Sequence, residues 1–381
     1  MKFQAGDNRY PALLARASRL RDRGKGRILS FSPKVFLPLT QLCRDVCGYC
    51  VFRQPPGRLG SPYMSPEEVL AVAREGEKRG CREALLVLGE RPEERYPEAA
   101  QWLTREGYDS TIEYLVSICR MLLRETSLYP HSNAGTLVPP ELEALKAVNV
   151  SLGLMLESSS PRLCDPGGPH EHAPSKHPQA RLDTLSAAGK LKIPVTTGLL
   201  VGIGETAQER KEALQLIGEL HQRYGHIQEV IIQNFRAKAA TPMRWANELS
   251  TEETLRTVAE ARIILGPDMN IQVPPNLSGS GRENGYLEFL GAGINDWGGI
   301  SPVTIDHVNP EAPWPHLAQL RRQVEDRNFR LRARFPLYPE FIRNGNNGLP
   351  PALESRLQAE ADAEGFVPQA ALEPLWEKRP C

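Results

Sequence analysis

From its amino terminus onward the chain alternates between short apolar runs and longer amphipathic stretches. Strand-like runs occupy residues 34–40 (KVFLPLT), 83–89 (EALLVLG), 129–135 (YPHSNAG, the weakest), 150–156 (VSLGLML), 194–202 (PVTTGLLVG), 229–235 (EVIIQNF), 270–275 (NIQVPP) and 301–306 (SPVTID). Helical patterns separate them. SPEEVLAVAREGEKRG opens on Ser65 as cap with Pro66 in its first turn, and STEETLRTVAEARIILG opens on a Ser250/Glu253 capping box. Apolar strands alternating with amphipathic helices predict a parallel sheet covered by helices, and eight repeats favour a closed (β/α)8 barrel over an open sheet. The expected organisation is a helical N-terminal extension over 1–27, the barrel over 28–320 and a C-terminal extension over 321–381. The arginine-rich stretch after 320 reads as a solvated face, or alternatively as a docking surface.

Composition narrows the class. The formal charge is +0, with 40% hydrophobic and 24% charged residues, the balance of an ordinary globular protein with no call for a nucleic-acid or membrane partner. No run approaches the roughly 18 apolar residues of a bilayer span, and the N-terminus lacks a signal peptide's apolar stretch. A cytoplasmic location is expected. In that reducing compartment an odd set of seven cysteines points to metal binding or redox chemistry rather than disulfides.

Three of the seven cluster in LTQLCRDVCGYCVFR, residues 39–53. Cys43, Cys47 and Cys50 have the spacing of one helical face, but Arg44, Asp45 and Gly48 between them make no apolar stripe. They sit instead on the loop leaving the first strand, where barrel enzymes carry their chemistry. A structural zinc would need a fourth ligand that does not stand nearby. A [4Fe–4S] cluster held by three cysteines keeps one iron open to a ligand. Simple packing or redox thiols are the third reading. Cys119 lies on an amphipathic helix and reads as core.

The pattern C-x-x-x-C-x-x-C, with Tyr49 before the last cysteine, resembles the radical S-adenosylmethionine (SAM) superfamily. The resemblance implies a radical SAM (β/α)8 TIM-like barrel with N- and C-terminal helical extensions. It makes Cys43, Cys47 and Cys50 the metal ligands and catalytic residues, with SAM chelated at the open iron. Gly89 and Glu90 in LLVLGERP are similar to the motif that meets the SAM amino group, although one of the usual two glycines is Leu88 here. Gly202 and Glu205 in GLLVGIGET match the fifth-strand glycine motif on the adenine side. Gly202, Gly204 and Ala207 also scan as a dinucleotide fingerprint, but the acid that should end the following strand is missing. Glu157, closing the fourth strand, is placed to accept from ribose hydroxyls or a substrate amine. The next loop gathers His170, His172, Lys176 and His177 among prolines and glycines, and is expected to form a polar lid.

Longer stretches, among them TSLYPHSNAG, GGPHEHAPSKHP, YGHIQEVIIQNFRAK and GAGINDWGGISPVTIDHVNPEAPWP, resemble the deazaflavin branch of that superfamily, the CofG-type subunits, over about residues 28–320. This implies a lyase-type enzyme acting on a small-molecule substrate, the tyrosine-derived adduct of 5-amino-6-ribitylaminouracil. It also implies a functional partner in the sister CofH-type subunit and a low-potential electron donor. Such a substrate needs aromatic, amide and hydroxyl partners. Asn234 and Arg236 after the sixth strand, Asn276 after the seventh, and Asn295, Asp296 and Trp297 near the eighth are expected at the mouth. The alternatives are the sister subunit or another radical SAM enzyme of aromatic substrates and, more distantly, a zinc-stabilised α/β binding protein.

Overall fold

The computed structural model describes residues 9–278, 284–345 and 348–376. Eight strands run parallel in chain order: β1 (Ile28–Thr40), β2 (Glu83–Leu88), β3 (Tyr129–Asn133), β4 (Ser151–Gly153), β5 (Val195–Val201), β6 (Ile227–Asn234), β7 (Ile271–Gln272) and β8 (Asp296–Ile300). β1 pairs with β2 on one side, starting at Lys34↔Glu83, and with β8 on the other at Ser30↔Asp296, so the sheet closes into a barrel. Parallel neighbours require crossover connections, and helices supply them. They are α2 (Pro66–Lys78), α3 (Pro97–Glu106), α4 (Thr111–Glu125), α5 (Pro139–Lys146), α6 (Pro178–Lys190), α7 (Ala207–Tyr224) and α8 (Thr251–Leu265), preceded by α1 (Arg9–Lys25) and followed by α9 (Leu317–Glu325). Reciprocal capping boxes fix the starts of α2 (Ser65/Glu68), α7 (Thr206/Glu209) and α8 (Ser250/Glu253). Between strands and helices lies one continuous apolar core that includes Leu37, Leu86, Ile118, Cys119 and Val230.

Two expectations are corrected here. The eighth strand is Asp296–Ile300 rather than 301–306. The Ser301 hydroxyl accepts from the amides of Val303 (3.2 Å) and Thr304 (2.8 Å), which turns that apolar run into a local loop. The arginine-rich segment is not a solvated face. It contains β9 (Arg330–Ala333), which pairs in parallel with the first residues of β1. Arg332 is buried against Asp362 and Glu364, and Arg334 enters the barrel. Beyond β9 the chain crosses the barrel's N-terminal end: the Pro336 carbonyl accepts from Ser151 Oγ (2.8 Å) and Gln228 Nε2 (3.0 Å), and Phe335 stands edge-on to Tyr129. α1 packs at the same end, where Arg21 donates to the carbonyls of Leu290 (3.1 Å) and Ile294 (2.8 Å).

Candidate active site

β1 ends at Thr40, whose hydroxyl accepts from the Leu42 amide (3.2 Å) and starts the cysteine loop. Gly89, just past β2, donates its amide to the Thr40 carbonyl (2.9 Å). A Cβ there would lie 1.8 Å from the Leu42 carbonyl oxygen, so only glycine lets the two loops approach this closely. The Glu90 amide then donates to Cys43 Sγ (3.1 Å). The Glu90 carboxylate turns to the loop after β3 and accepts from the Thr136 amide (3.1 Å) and hydroxyl (2.5 Å). Gly135, at φ 78°, makes room for it: a Cβ would sit 1.7 Å from Glu90 Oε2.

The histidine-bearing loop supports the thiols from the other side. Gly48 donates to the Pro169 carbonyl (2.7 Å) and Val46 to that of His172 (2.8 Å), the Ser175 hydroxyl donates to Asp45, and Tyr49 Oη and His170 Nε2 share a hydrogen bond of 3.0 Å. The expected lid is therefore tied to the cysteine loop, with an antiparallel bridge between Val46 and His172. His172 contributes its backbone; its side chain is exposed, 3.8 Å from Glu171.

Cys43, Cys47 and Cys50 all open onto a cavity of about 360 Å³ in the barrel mouth, together with Gly89, Glu90, Glu157 and Lys176. Glu157 adopts φ 65°, a left-handed conformation that costs a non-glycine residue about 1 kcal/mol or more. It is held there because its amide donates to the Gly198 carbonyl (3.0 Å) and its carbonyl accepts from Leu200 (3.1 Å). Burial alone would raise the Glu157 carboxyl, but Lys176, which ion-pairs with it, and Arg181 outweigh that and hold it below the ordinary range. Burial pushes the Cys43 thiol up to about 11 and Cys47 to about 12. Without metal both are protonated at neutral pH, so loading must release protons.

Among the described residues no group of three His, Cys, Asp or Glu side chains is arranged to hold a metal ion directly. A zinc site would gather its sulfurs within about 4 Å of one another. Three thiols of one loop facing a common cavity, with the Glu90 amide donating to Cys43 Sγ, are the donor set of a cluster that keeps one iron open.

The description of the radical SAM superfamily matches residues 37–217. The 7,8-didemethyl-8-hydroxy-5-deazariboflavin synthase of Methanopyrus kandleri is 54% identical over 318 residues, 84% of this chain and 94% of that relative. This chain belongs to the same family of radical SAM proteins. Family membership implies SAM and a [4Fe–4S] cluster. The FO synthases of Streptomyces avermitilis and Streptomyces coelicolor are 47% and 46% identical, and match 94% and 95% of this chain, but the chain spans only 42% of each. Among solved structures, the FeFe-hydrogenase maturase HydG from Carboxydothermus hydrogenoformans aligns with TM-score 0.70 at 19% identity, covering 94% of this chain and 84% of that one. Methylornithine synthase (PylB) aligns with TM-score 0.65 at 16% identity, covering 86% and 90%. At such identities these two establish the radical SAM barrel fold alone.

The remaining residues singled out in the sequence divide into three groups. Asn234 and Arg236 line the cavity; Asn234 Nδ2 donates to the Leu277 carbonyl (3.1 Å), its Oδ1 is buried without a partner, and Arg236 pairs with Glu248 at 3.4 Å. Glu205 and Asn276 serve loops beside the mouth. Glu205 accepts from the amides of Gly202 (2.7 Å) and Ile203 (2.9 Å) and from Arg210 (2.8 Å), closing its own turn, while Asn276 Nδ2 holds Asp306 at 3.0 Å. Asn295, Asp296 and Trp297 lie at the opposite end of the barrel, contrary to expectation, because β8 starts rather than finishes with them. Asn295 Oδ1 accepts from Arg262 (2.8 Å) and the Ile271 amide (2.9 Å). Asp296 binds Arg334, and Trp297 is fully buried on the outer side of β8. Six polar residues of this radical SAM barrel's interior were not singled out: Lys34, Glu83, His131, Glu229, Gln272 and Arg334. A signal did exist for three of them, since a charged residue opens KVFLPLT, EALLVLG and EVIIQNF.

Proposed function

We propose that this chain performs the CofG-type step of deazariboflavin formation. It binds the tyrosine-derived adduct of 5-amino-6-ribitylaminouracil and closes the central ring with release of ammonia to give 7,8-didemethyl-8-hydroxy-5-deazariboflavin, one SAM being consumed as the net two-electron oxidant and released as methionine and 5′-deoxyadenosine. The observation that carries this reading is the 54% identity over 94% of the Methanopyrus synthase. The sister CofH-type subunit supplies the adduct, and a low-potential donor supplies electrons. When bound, the reduced cluster and SAM supply a 5′-deoxyadenosyl radical able to remove an unactivated hydrogen. Cys43, Cys47 and Cys50 hold the cluster, and the Glu90 amide steadies Cys43 through its hydrogen bond to Sγ. Glu157 and Lys176, with Glu90 and Gly89, offer the polar groups of SAM a carboxylate, an ammonium and backbone partners at the mouth. The enclosed barrel excludes water and orients the adduct below them.

One anaerobic reaction tests this: reconstituted protein, reductant, SAM and the adduct, scored by mass spectrometry for 5′-deoxyadenosine and the deazaflavin. Both products are expected. Deoxyadenosine with no deazaflavin would refute the ring-closing reading, and formation of the adduct itself from tyrosine plus 5-amino-6-ribitylaminouracil would transfer the chain to the sister step. Alanine at Cys43, Cys47 or Cys50 is expected to leave the barrel folded and abolish both iron retention and deoxyadenosine. A variant that still cleaved SAM would remove the cysteine assignment.

A further inference from the structure

The cavity wall changes character with depth. Phe36 on β1, Leu85 on β2 and Ile231 on β6 form an apolar belt below the thiol loop. Two residues deeper on the same strands stand Lys34, Glu83 and Glu229, joined by His131, Gln272 and, from the crossing C-terminal segment, Arg334. Barrels of this kind ordinarily fill that depth with valine, isoleucine and leucine. Burying charges there costs free energy unless each is partnered.

The Gly298–Gly299 pair in NDWGGI creates the space. A Cβ at Gly299 would lie 1.3 Å from Lys34 Cε, and one at Gly298 2.2 Å from Gln272 Nε2. These glycines let Lys34 and Gln272 lie across the floor. Its cations are already neutralised: Lys34 pairs with Glu83 at 3.1 Å, and Arg334 with Asp296 at 2.7 Å and Glu229 at 3.2 Å. Two cations thus face three carboxylates, and no spare positive charge awaits an anion. What the floor retains is hydrogen-bonding capacity: carboxylate lone pairs and the Gln272 amide. Burial, reinforced by Asp296, keeps the Glu229 carboxyl raised in spite of Arg334, so further negative charge is unwelcome.

We propose that this floor is the subsite for an uncharged polyhydroxyl chain, the ribityl arm of the adduct, and that it rejects the same arm bearing a terminal phosphate. The assignment rests on the deazariboflavin reading above. Hydroxyls donate to Glu83 and accept from Lys34 and Gln272, whereas a phosphate would bring close to two negative charges against the carboxylates. The apolar belt receives the aromatic part and directs it toward the cysteines.

The test compares three adducts on reconstituted wild-type protein: ribityl, methyl in place of ribityl, and ribityl 5′-phosphate. Both altered adducts are expected to lose about tenfold or more in kcat/KM relative to the first. Glu83→Gln and Gly299→Ala are each expected to lower kcat/KM for the ribityl adduct by a similar factor while leaving the methyl adduct within about twofold, a selectivity that general destabilisation does not produce. Conversion of all three adducts by the wild type at comparable efficiency overturns the floor assignment alone. No conversion of any adduct overturns the deazariboflavin reading and the ribityl assignment with it.

Discussion

At Trp297 the indole is fully buried and stands edge-on to Tyr286, the ring centroids 5.5 Å apart, with Nε1 unpartnered. Its chemistry suits a substrate contact, but its position in the strand turns it outward, away from the cavity. Trp297→Ala is expected to lower stability by about 3–5 kcal/mol through the void it leaves, read as a lower urea midpoint, with KM for the adduct within about twofold for the folded fraction. A large rise in KM at unchanged stability would return Trp297 to the substrate site. The cysteines are the opposite case. Their spacing carried their role because a loop of fixed length brings them to one cavity without reference to strand phase. Glu157 lies between: its place after the fourth apolar run was visible in sequence, but β4 ends at Gly153, and its left-handed backbone and its pairing with Lys176 depend on β5 and on a loop nineteen positions onward.

Among the elements, α7 shows how a local signal reaches the site. Thr206 Oγ1 accepts from the Glu209 amide (3.1 Å), and the Glu209 carboxylate returns to the Thr206 amide (2.6 Å). The same carboxylate takes Ser160 Oγ (2.5 Å) and Arg162 Nη2 (2.8 Å) from the loop after β4, so the cap also anchors the start of the histidine-bearing segment. Thr206→Ala is expected to cost about 1 kcal/mol in urea unfolding, with iron content unchanged. A loss of several kcal/mol would mean that the Glu209 contacts collapse with the cap. The helix starts were legible because capping is settled within four residues. β8 was not, because its glycine-rich DWGGI has low intrinsic strand propensity, and its pairing with β1 comes from elsewhere in the barrel.

Across the whole molecule the buried charges of the barrel are bound to its C-terminal segment. Arg334 is the cation shared by Asp296 and Glu229. Arg334→Met is expected to destabilise by about 3–5 kcal/mol because it leaves two buried carboxylates uncompensated. Adding Asp296→Asn should recover part of that loss in urea titrations, and no recovery would argue that Arg334 matters only as a packing group. Burial also depresses His131, His170 and His226 to about 4, against roughly 6.5 in the unfolded chain. Between those values the unfolded chain binds more protons, so stability present above about pH 6.5 is lost as pH falls toward 4. Each histidine contributes up to roughly 3 kcal/mol to that decline. The urea midpoint should therefore drop between pH 7.5 and 5, and His226→Gln should flatten the curve by up to one proton's worth. A midpoint level across that range would contradict the burial of these rings.

By itself the sequence determined the strand–helix alternation, the caps at Ser65 and Ser250, the cysteine loop and its place after the first strand. Each of these depends on residues close together in the chain, through periodicity, capping or spacing. Tertiary structure alone decided where β8 begins, that Arg334 enters the barrel from the C-terminal segment, and that Lys34, Glu83, His131 and Gln272 share one floor. Those outcomes depend on strand register around a closed sheet. A shift of one residue reverses which face a side chain occupies, and no local pattern records the partner strand that sets the register.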